Sequence, residues 1–131
     1  MKQIAAFLLL LSSITLLPSC EKSEGQGGTS TITGKVYVKE YTQSGNLLAE
    51  YYAPEERVYI IYGTGNTFND DTRTSFDGSF QFQYLNKGSY RIFAYSDCDT
   101  CNSGTQAVIK DIEITSNNSV EETGDIIVIK K

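Results

Sequence analysis

Histidine and tryptophan are absent from these 131 residues. Without histidine the chain lacks the side chain that most often ligates metals and most often acts as a general base near neutral pH. Serine and threonine are plentiful, yet none has an evident base to activate it as a nucleophile. The adjacent carboxylates Glu55-Glu56 and Glu121-Glu122 do not form a glycosidase-like pair, because neighbours on a strand point to opposite faces. These gaps argue for a non-catalytic protein. Basic residues are scarce as well: 11 Lys and Arg face 16 Asp and Glu, a formal charge of −5. A surface of that sign favours solubility and offers no basic footprint to a nucleic-acid backbone. After the first twenty residues no segment shows helical periodicity, which leaves β-structure as the means of building a core.

What is present begins with an address. Met1-Lys2-Gln3 is a short positive start, and Ile4 to Leu17 is an apolar run broken only by Ser and Thr. Its length suits the core of a signal peptide and is short for a transmembrane helix. The run ends in Leu17-Pro18-Ser19-Cys20, which resembles the lipobox of bacterial lipoproteins. That resemblance implies cleavage before Cys20 and diacylglyceryl attachment to its thiol, with residues 1–19 a signal helix. The mature chain would carry a formal charge of −6, since only Lys2 is lost from the charged residues. Acyl chains hold a protein to a bilayer through the burial of many CH₂ groups, and two chains hold far better than one. Glu21 to Gly28 is polar and Gly-rich, so residues 20–30 read as a flexible tether. The Glu-Lys-Ser-Glu start is similar to the acidic export signals that move lipoproteins to the cell surface. The expected location is the outer membrane, on its periplasmic or surface face.

From Thr29 onward the dominant period is two, as a strand with one wet face requires. Ile32, Gly34, Val36 and Val38 alternate with Thr33, Lys35, Tyr37 and Lys39. Val58, Ile60 and Tyr62 follow, then Phe80, Phe82 and Tyr84, then Tyr90, Ile92 and Ala94. Phe93 and Tyr95, on the other face of that last run, suggest some burial there too. Val108–Ile114 and Ile126–Ile129 are further strands, and a short piece near Arg73–Ser75 makes a seventh. Asp77-Gly78 and Asn86-Lys87-Gly88 supply turns. Residues 40–56 read as an irregular excursion or an extra hairpin around Ser44-Gly45-Asn46. Seven short strands in about a hundred residues predict an all-β sandwich over residues 31–131.

The turn motifs carry a resemblance. Ile32-Thr33-Gly34-Lys35-Val36, Thr74-Ser75-Phe76-Asp77-Gly78-Ser79-Phe80 and Leu85-Asn86-Lys87-Gly88-Ser89-Tyr90 look like the carboxypeptidase regulatory-like family. The resemblance implies a transthyretin-like, seven-stranded Greek-key β-sandwich in which Phe80 and Phe82 fill the core. Tyr90 would bury its ring and satisfy its hydroxyl. It also implies an accessory role without catalytic residues: such modules brace a neighbour or present loops to a partner.

Three groups of residues stand as candidate sites. Cys98-Asp99-Thr100-Cys101 reads as a disulfide in an exported protein, with thiol redox chemistry or metal ligation as alternatives. Asp97 and Asp99 oppose a thiolate, and zinc would want more ligands than two thiols. Asn69-Asp70-Asp71 with Asp77 invites calcium, although the spacing fits no EF-hand loop and a solvated turn explains it. Tyr41, Tyr51 and Tyr52 sit where the strand pattern is weakest, and exposed rings there could stack on sugars or dock a protein. No cofactor or metal is expected. The expected partners are the membrane through Cys20, and an envelope protein or a glycan through the folded domain; clustered aromatics on one exposed patch would favour the glycan.

Overall fold

The computed structural model of the chain describes residues 22–131. Cys20 and the expected signal helix of residues 1–19 lie outside the described residues. Eight strands follow one another: β1 Gln26–Tyr41, β2 Leu47–Tyr52, β3 Arg57–Tyr62, β4 Asp70–Arg73, β5 Ser79–Leu85, β6 Gly88–Asp97, β7 Thr105–Ile114 and β8 Val120–Lys130. The described residues contain no helix. The chain is therefore the all-β sandwich that its period-two pattern predicts, with one strand more than seven.

The first sheet is built around the long strand β1. Strand β8 runs parallel along one edge, from Thr31↔Val120 to Glu40↔Lys130. The other edge is shared between two antiparallel partners. β5 takes the first half of β1, and β2 takes the second half from Tyr37↔Tyr52 onward. The second sheet is antiparallel throughout, in the order β4-β3-β6-β7. Between the sheets lie Ile32, Val36 and Val38 of β1, Val58 and Ile60 of β3, Phe80 and Phe82 of β5, Tyr90, Ile92 and Ala94 of β6, Ile114, Ile126 and Val128. Each strand contributes alternate residues, so the alternation in the sequence is the core itself. Gly34 belongs to this row because a Cβ there would lie 2.6 Å from the Phe80 ring.

Four departures from the sequence reading have local causes. Leu47–Tyr52 is a strand although every residue in it is exposed. With neither face buried it shows no alternation, and it forms because the Thr42–Asn46 turn folds it back on β1. Thr42 and Asn46 close that turn through a 2.8 Å backbone bond, with Gly45 at φ 88°. β4 is Asp70–Arg73 rather than Arg73–Ser75. It is a short, charged edge strand, and such edges resist pairing with other chains. Tyr84 does not continue the inward row of Phe80 and Phe82. It has φ 60°, is 68 % exposed, and occupies a bulge that hands the inward position to Leu85. One extra residue on β5 reverses the parity of everything beyond it.

The fourth departure concerns the expected tether of residues 20–30. β1 already begins at Gln26, and Ser30 is buried. Gly28 serves close packing rather than slack. A Cβ on Gly28 would fall inside the Leu85 carbonyl and within 2.5 Å of the Asn86 nitrogen. The buried Tyr90 hydroxyl accepts the Gly25 N–H at 2.9 Å and donates to the Asn86 carbonyl at 2.7 Å. Tyr90 therefore buries its ring with its polar end satisfied, and burial, the largest influence on it, raises its pKa.

The Asp77 turn allows a test by pH. Oδ1 of Asp77 accepts the Ser79 hydroxyl at 2.6 Å and the Ser79 N–H at 3.1 Å, with Lys35 Nζ 3.7 Å from Oδ2. These donors, the Ser79 hydroxyl foremost, hold the Asp77 carboxyl below the usual carboxylate range. A lowered folded pKa means that the ionised group's contribution is complete above the unfolded value of about 3.9 and fades as pH falls through the folded value. Carboxyl NMR titration is expected to place Asp77 below the ordinary aspartate midpoint, and Ser79→Ala to raise it. An ordinary midpoint in the unsubstituted protein would refute the assignment.

Candidate ligand-binding face

Alternation that sends Val58 and Ile60 inward sends Arg57, Tyr59 and Ile61 to the outer face of the second sheet. On β6 it sends Arg91, Phe93 and Tyr95 to that same face. Strand pairing then places Asp71, Tyr59, Phe93 and Ile109 in one row across all four strands. Tyr59 stacks on Phe93 with centroids 4.9 Å apart and planes 14° from parallel. Tyr95 meets both edge-on at 5.5 Å.

A fourth ring arrives from the β3–β4 loop. Asn69 N–H bonds to the Ile60 carbonyl at 2.8 Å, and Asn69 Oδ1 accepts the Tyr62 N–H at 2.8 Å, which folds the loop back over the sheet. Phe68 then lies against Tyr59 at 4.9 Å, and the Arg91 guanidinium holds the Gly65 carbonyl. Under this strap Ile61 and Phe93 are buried, while Phe68 and Tyr95 remain 50 % and 45 % exposed beside the half-exposed Ile109. The result is an apolar ledge of four touching rings. Arg57 and Asp71 form its charged rim, paired at 3.8 Å. Contiguous exposed apolar surface of this kind, rimmed by polar groups, is a mark of binding sites.

The three tyrosines singled out in the sequence do not form such a patch. Tyr51 and Tyr52 are adjacent on β2 and so project to opposite faces. Tyr51 donates to Glu40 at 3.4 Å on one side; on the other, Tyr52 donates to Asp125 at 3.0 Å and meets Tyr37 edge-on at 5.1 Å. The Asp125 carboxylate, through that bond first and its charge second, raises the Tyr52 pKa. Tyr41 lies at the far end of the β1–β2 ladder, opposite Leu47. Tyr52 does line a shallow polar depression with Lys35, Arg73, Gln81 and Asp125.

Cys98 and Cys101 form a disulfide across the β6–β7 turn, with Cα atoms 5.4 Å apart. Backbone bonds from Cys98 to Gly104 and from Gly104 to Cys101 complete the turn. Both sulfurs are consumed in that bond, and the turn offers no helix N-terminus to stabilise a thiolate. The acidic groups of the calcium reading are separately engaged. Asp70 accepts from Gln26, Asp71 faces Arg57, and Asp77 holds its own turn. Among the described residues no three His, Cys, Asp or Glu side chains gather as a metal site would require.

No family model and no curated protein matches the sequence. Among solved structures, the chain is similar to a crystal structure of a Pseudomonas aeruginosa protein proposed to bind carbohydrate. The two share 14 % identity at a TM-score of 0.47, over 87 % of this chain and 97 % of the other. A likeness of that degree carries no argument about what this chain binds.

The aromatic ledge was only half visible in the sequence. Phe93 and Tyr95 signal it by giving β6 large apolar side chains on both faces. Tyr59, Phe68 and Ile109 join them only through strand pairing and a folded loop.

Proposed function

We propose that this chain is a non-catalytic lipoprotein module of the bacterial outer membrane, held by an acylated Cys20, that binds a glycan on the outer face of its second sheet. The observation that carries the reading is the cluster of Tyr59, Phe68, Phe93 and Tyr95. A sugar ring presents a patch of C–H groups on one side and hydroxyls around its edge. Aromatic faces carry negative charge density that attracts such C–H groups, and apolar contact with them removes both from water. The rim charges of Arg57 and Asp71 offer a donor and an acceptor for the hydroxyls. The absence of histidine and the lipobox-like Leu17–Cys20 segment support the non-catalytic and anchored parts of the reading. So does the resemblance of the hairpin motifs to carboxypeptidase regulatory-like modules, which serve accessory roles.

Phe68→Ala with Tyr95→Ala tests it. Both rings are half exposed, so the double variant is expected to stay folded while retention on envelope polysaccharide falls at least tenfold in affinity electrophoresis. That loss corresponds to the roughly 1.4 kcal/mol or more typical of an aromatic contact residue. Equal retention of the variant and the original protein would sink the glycan reading.

A protein partner is the second reading, favoured by Phe76. This ring is 90 % exposed in the turn that carries the chain from β4 to β5, where no core role explains it. Phe76→Ser is expected to leave stability within about 0.5 kcal/mol, as for surface changes away from packing. Loss of a crosslinked envelope protein in that variant would assign the partner to this turn; unchanged crosslinking would remove the turn from consideration.

A further inference from the structure

The chain is fastened to the sandwich from Ser23 onward. Asn86 is the clamp: its Nδ2 donates to the carbonyls of Ser23 and Gln26, both at 3.1 Å. Its backbone N–H bonds to the Gly25 carbonyl at 2.8 Å, and Gly25 N–H is in turn held by the buried Tyr90 hydroxyl. Glu24 lies so close over Gly88 that a Cβ there would come within 2.9 Å of the Glu24 Cδ. Only Glu21 and Lys22 separate Cys20 from this clamp. Three Cα steps, fully extended, reach at most roughly 11 Å.

The clamp also specifies which end of the molecule is near Cys20. Ser23–Gln26 lie where the β3–β4, β5–β6 and β7–β8 loops gather. Asn86 belongs to the second of these, and Asn118 N–H in the third bonds to Thr29 Oγ1 at 3.1 Å. These loops, residues 63–69, 86–87 and 115–119, are Gly, Ser, Thr and Asn with Phe68, and their single charged residue is Lys87. The loops on the far side, residues 42–46, 53–56, 74–78 and 98–104, carry Glu55, Glu56, Asp77 and Asp99, of which Glu56, Asp77 and Asp99 are paired with Lys130, Lys35 and Lys131. Glu24 lies at the near end beside Lys87, so charge does not choose between the two ends; the short reach from Cys20 does.

Resting on the reading of Cys20 as acylated, we infer that the short span from Cys20 to the clamp seats the sandwich against the lipid headgroups. The sandwich is seated on the membrane by its β3–β4, β5–β6 and β7–β8 end, without a tether. The disulfide turn points away from the bilayer, and the aromatic ledge opens sideways, perpendicular to the membrane normal. A glycan bound there would lie within one domain height of the lipid, as a membrane-attached polysaccharide does.

The test uses the full acylated protein in vesicles of phosphatidylethanolamine and phosphatidylglycerol carrying a headgroup nitroxide. Cys98 and Cys101 are joined and Cys20 is acylated, so one introduced cysteine takes a fluorophore uniquely. Asn117→Cys marks the seated end and Gln43→Cys the far one. Quenching several-fold stronger at position 117 is expected. Inserting eight Gly and Ser residues between Lys22 and Ser23 is expected to erase most of that difference. Equal quenching at both positions in vesicle-bound protein, or a difference that survives the insertion, would overturn the seating. A mature protein whose Cys20 lacks the acyl mass and which does not float with vesicles would overturn the anchorage, and the seating with it.

Discussion

Gly28→Ala is expected to destabilise the sandwich by about 3 kcal/mol or more, the upper range for forcing atoms into a filled space. The residue has an ordinary φ, so the effect is one of space alone. Its would-be Cβ meets the Leu85 carbonyl and the Asn86 nitrogen, which are main-chain atoms and cannot rotate away. Relief requires β1 and β5 to separate where Ser30 pairs with Leu85. That movement would also pull Asn86 from Ser23 and Gln26, so the clamp and the edge of the core fail together. A urea titration followed by tyrosine fluorescence reads the loss as a lower midpoint. If residues 20–30 were instead a slack tether, the same substitution would change stability by no more than about 0.5 kcal/mol. The experiment therefore decides between a clamp and a leash.

Ile92→Ala is expected to cost between about 2 and 5 kcal/mol, with a fall in Tm of roughly 10–20 °C. Ile92 is fully buried on the central strand pair of the second sheet, opposite Ile60 and beside Tyr90 and Ala94. The strands on either side are held in register by their hydrogen bonds, so they cannot close over the missing atoms. A cavity remains, and its unfilled contacts add to the lost transfer free energy. Ile92→Val removes one methylene and is expected to cost about 1 kcal/mol. The ratio between the two, measured by thermal unfolding, checks that the site is rigid core rather than an adaptable edge.

The two substitutions fall on opposite sides of what a sequence reveals. Ile92 announces itself: it alternates with Arg91 and Phe93 and follows Gly88 and Tyr90 at the spacing a strand after a turn requires. Gly28 does not. A run such as Gly25-Gln26-Gly27-Gly28 has one composition whether it is loose or packed against a neighbour, because glycine serves both uses. The neighbour is Leu85, nearly sixty residues away, and no local pattern points to it. Tyr84 and Leu85 show the same limit in another form. A residue inserted into β5 exchanges the faces of the two, and alternation cannot count a bulge it does not contain. β2 escaped for the opposite reason, since Leu47–Tyr52 has no buried face and so no pattern to read.

The candidate site divides in the same way. Cys98 and Cys101 were legible because a disulfide needs two cysteines at a spacing that a turn can close, and both conditions are local. Tyr51 and Tyr52 looked like a patch because they are adjacent, yet adjacency on a strand separates side chains. The rings that do meet come from Tyr59, Phe68, Phe93 and Tyr95, over thirty residues apart at the extremes, and none neighbours another in sequence.

By itself the sequence determined the all-β class, most of the inward rows of the core and the Asp77-Gly78 turn. Period, turn chemistry and β-branched content all act over a few residues, and each shows within a single segment. Only the tertiary structure decided that residues 23–30 are part of the sandwich, that β8 lies parallel to β1, and that four aromatic rings share one face. Those outcomes depend on which strands pair and at what register. Register is a property of two distant segments together, and neither segment carries it alone.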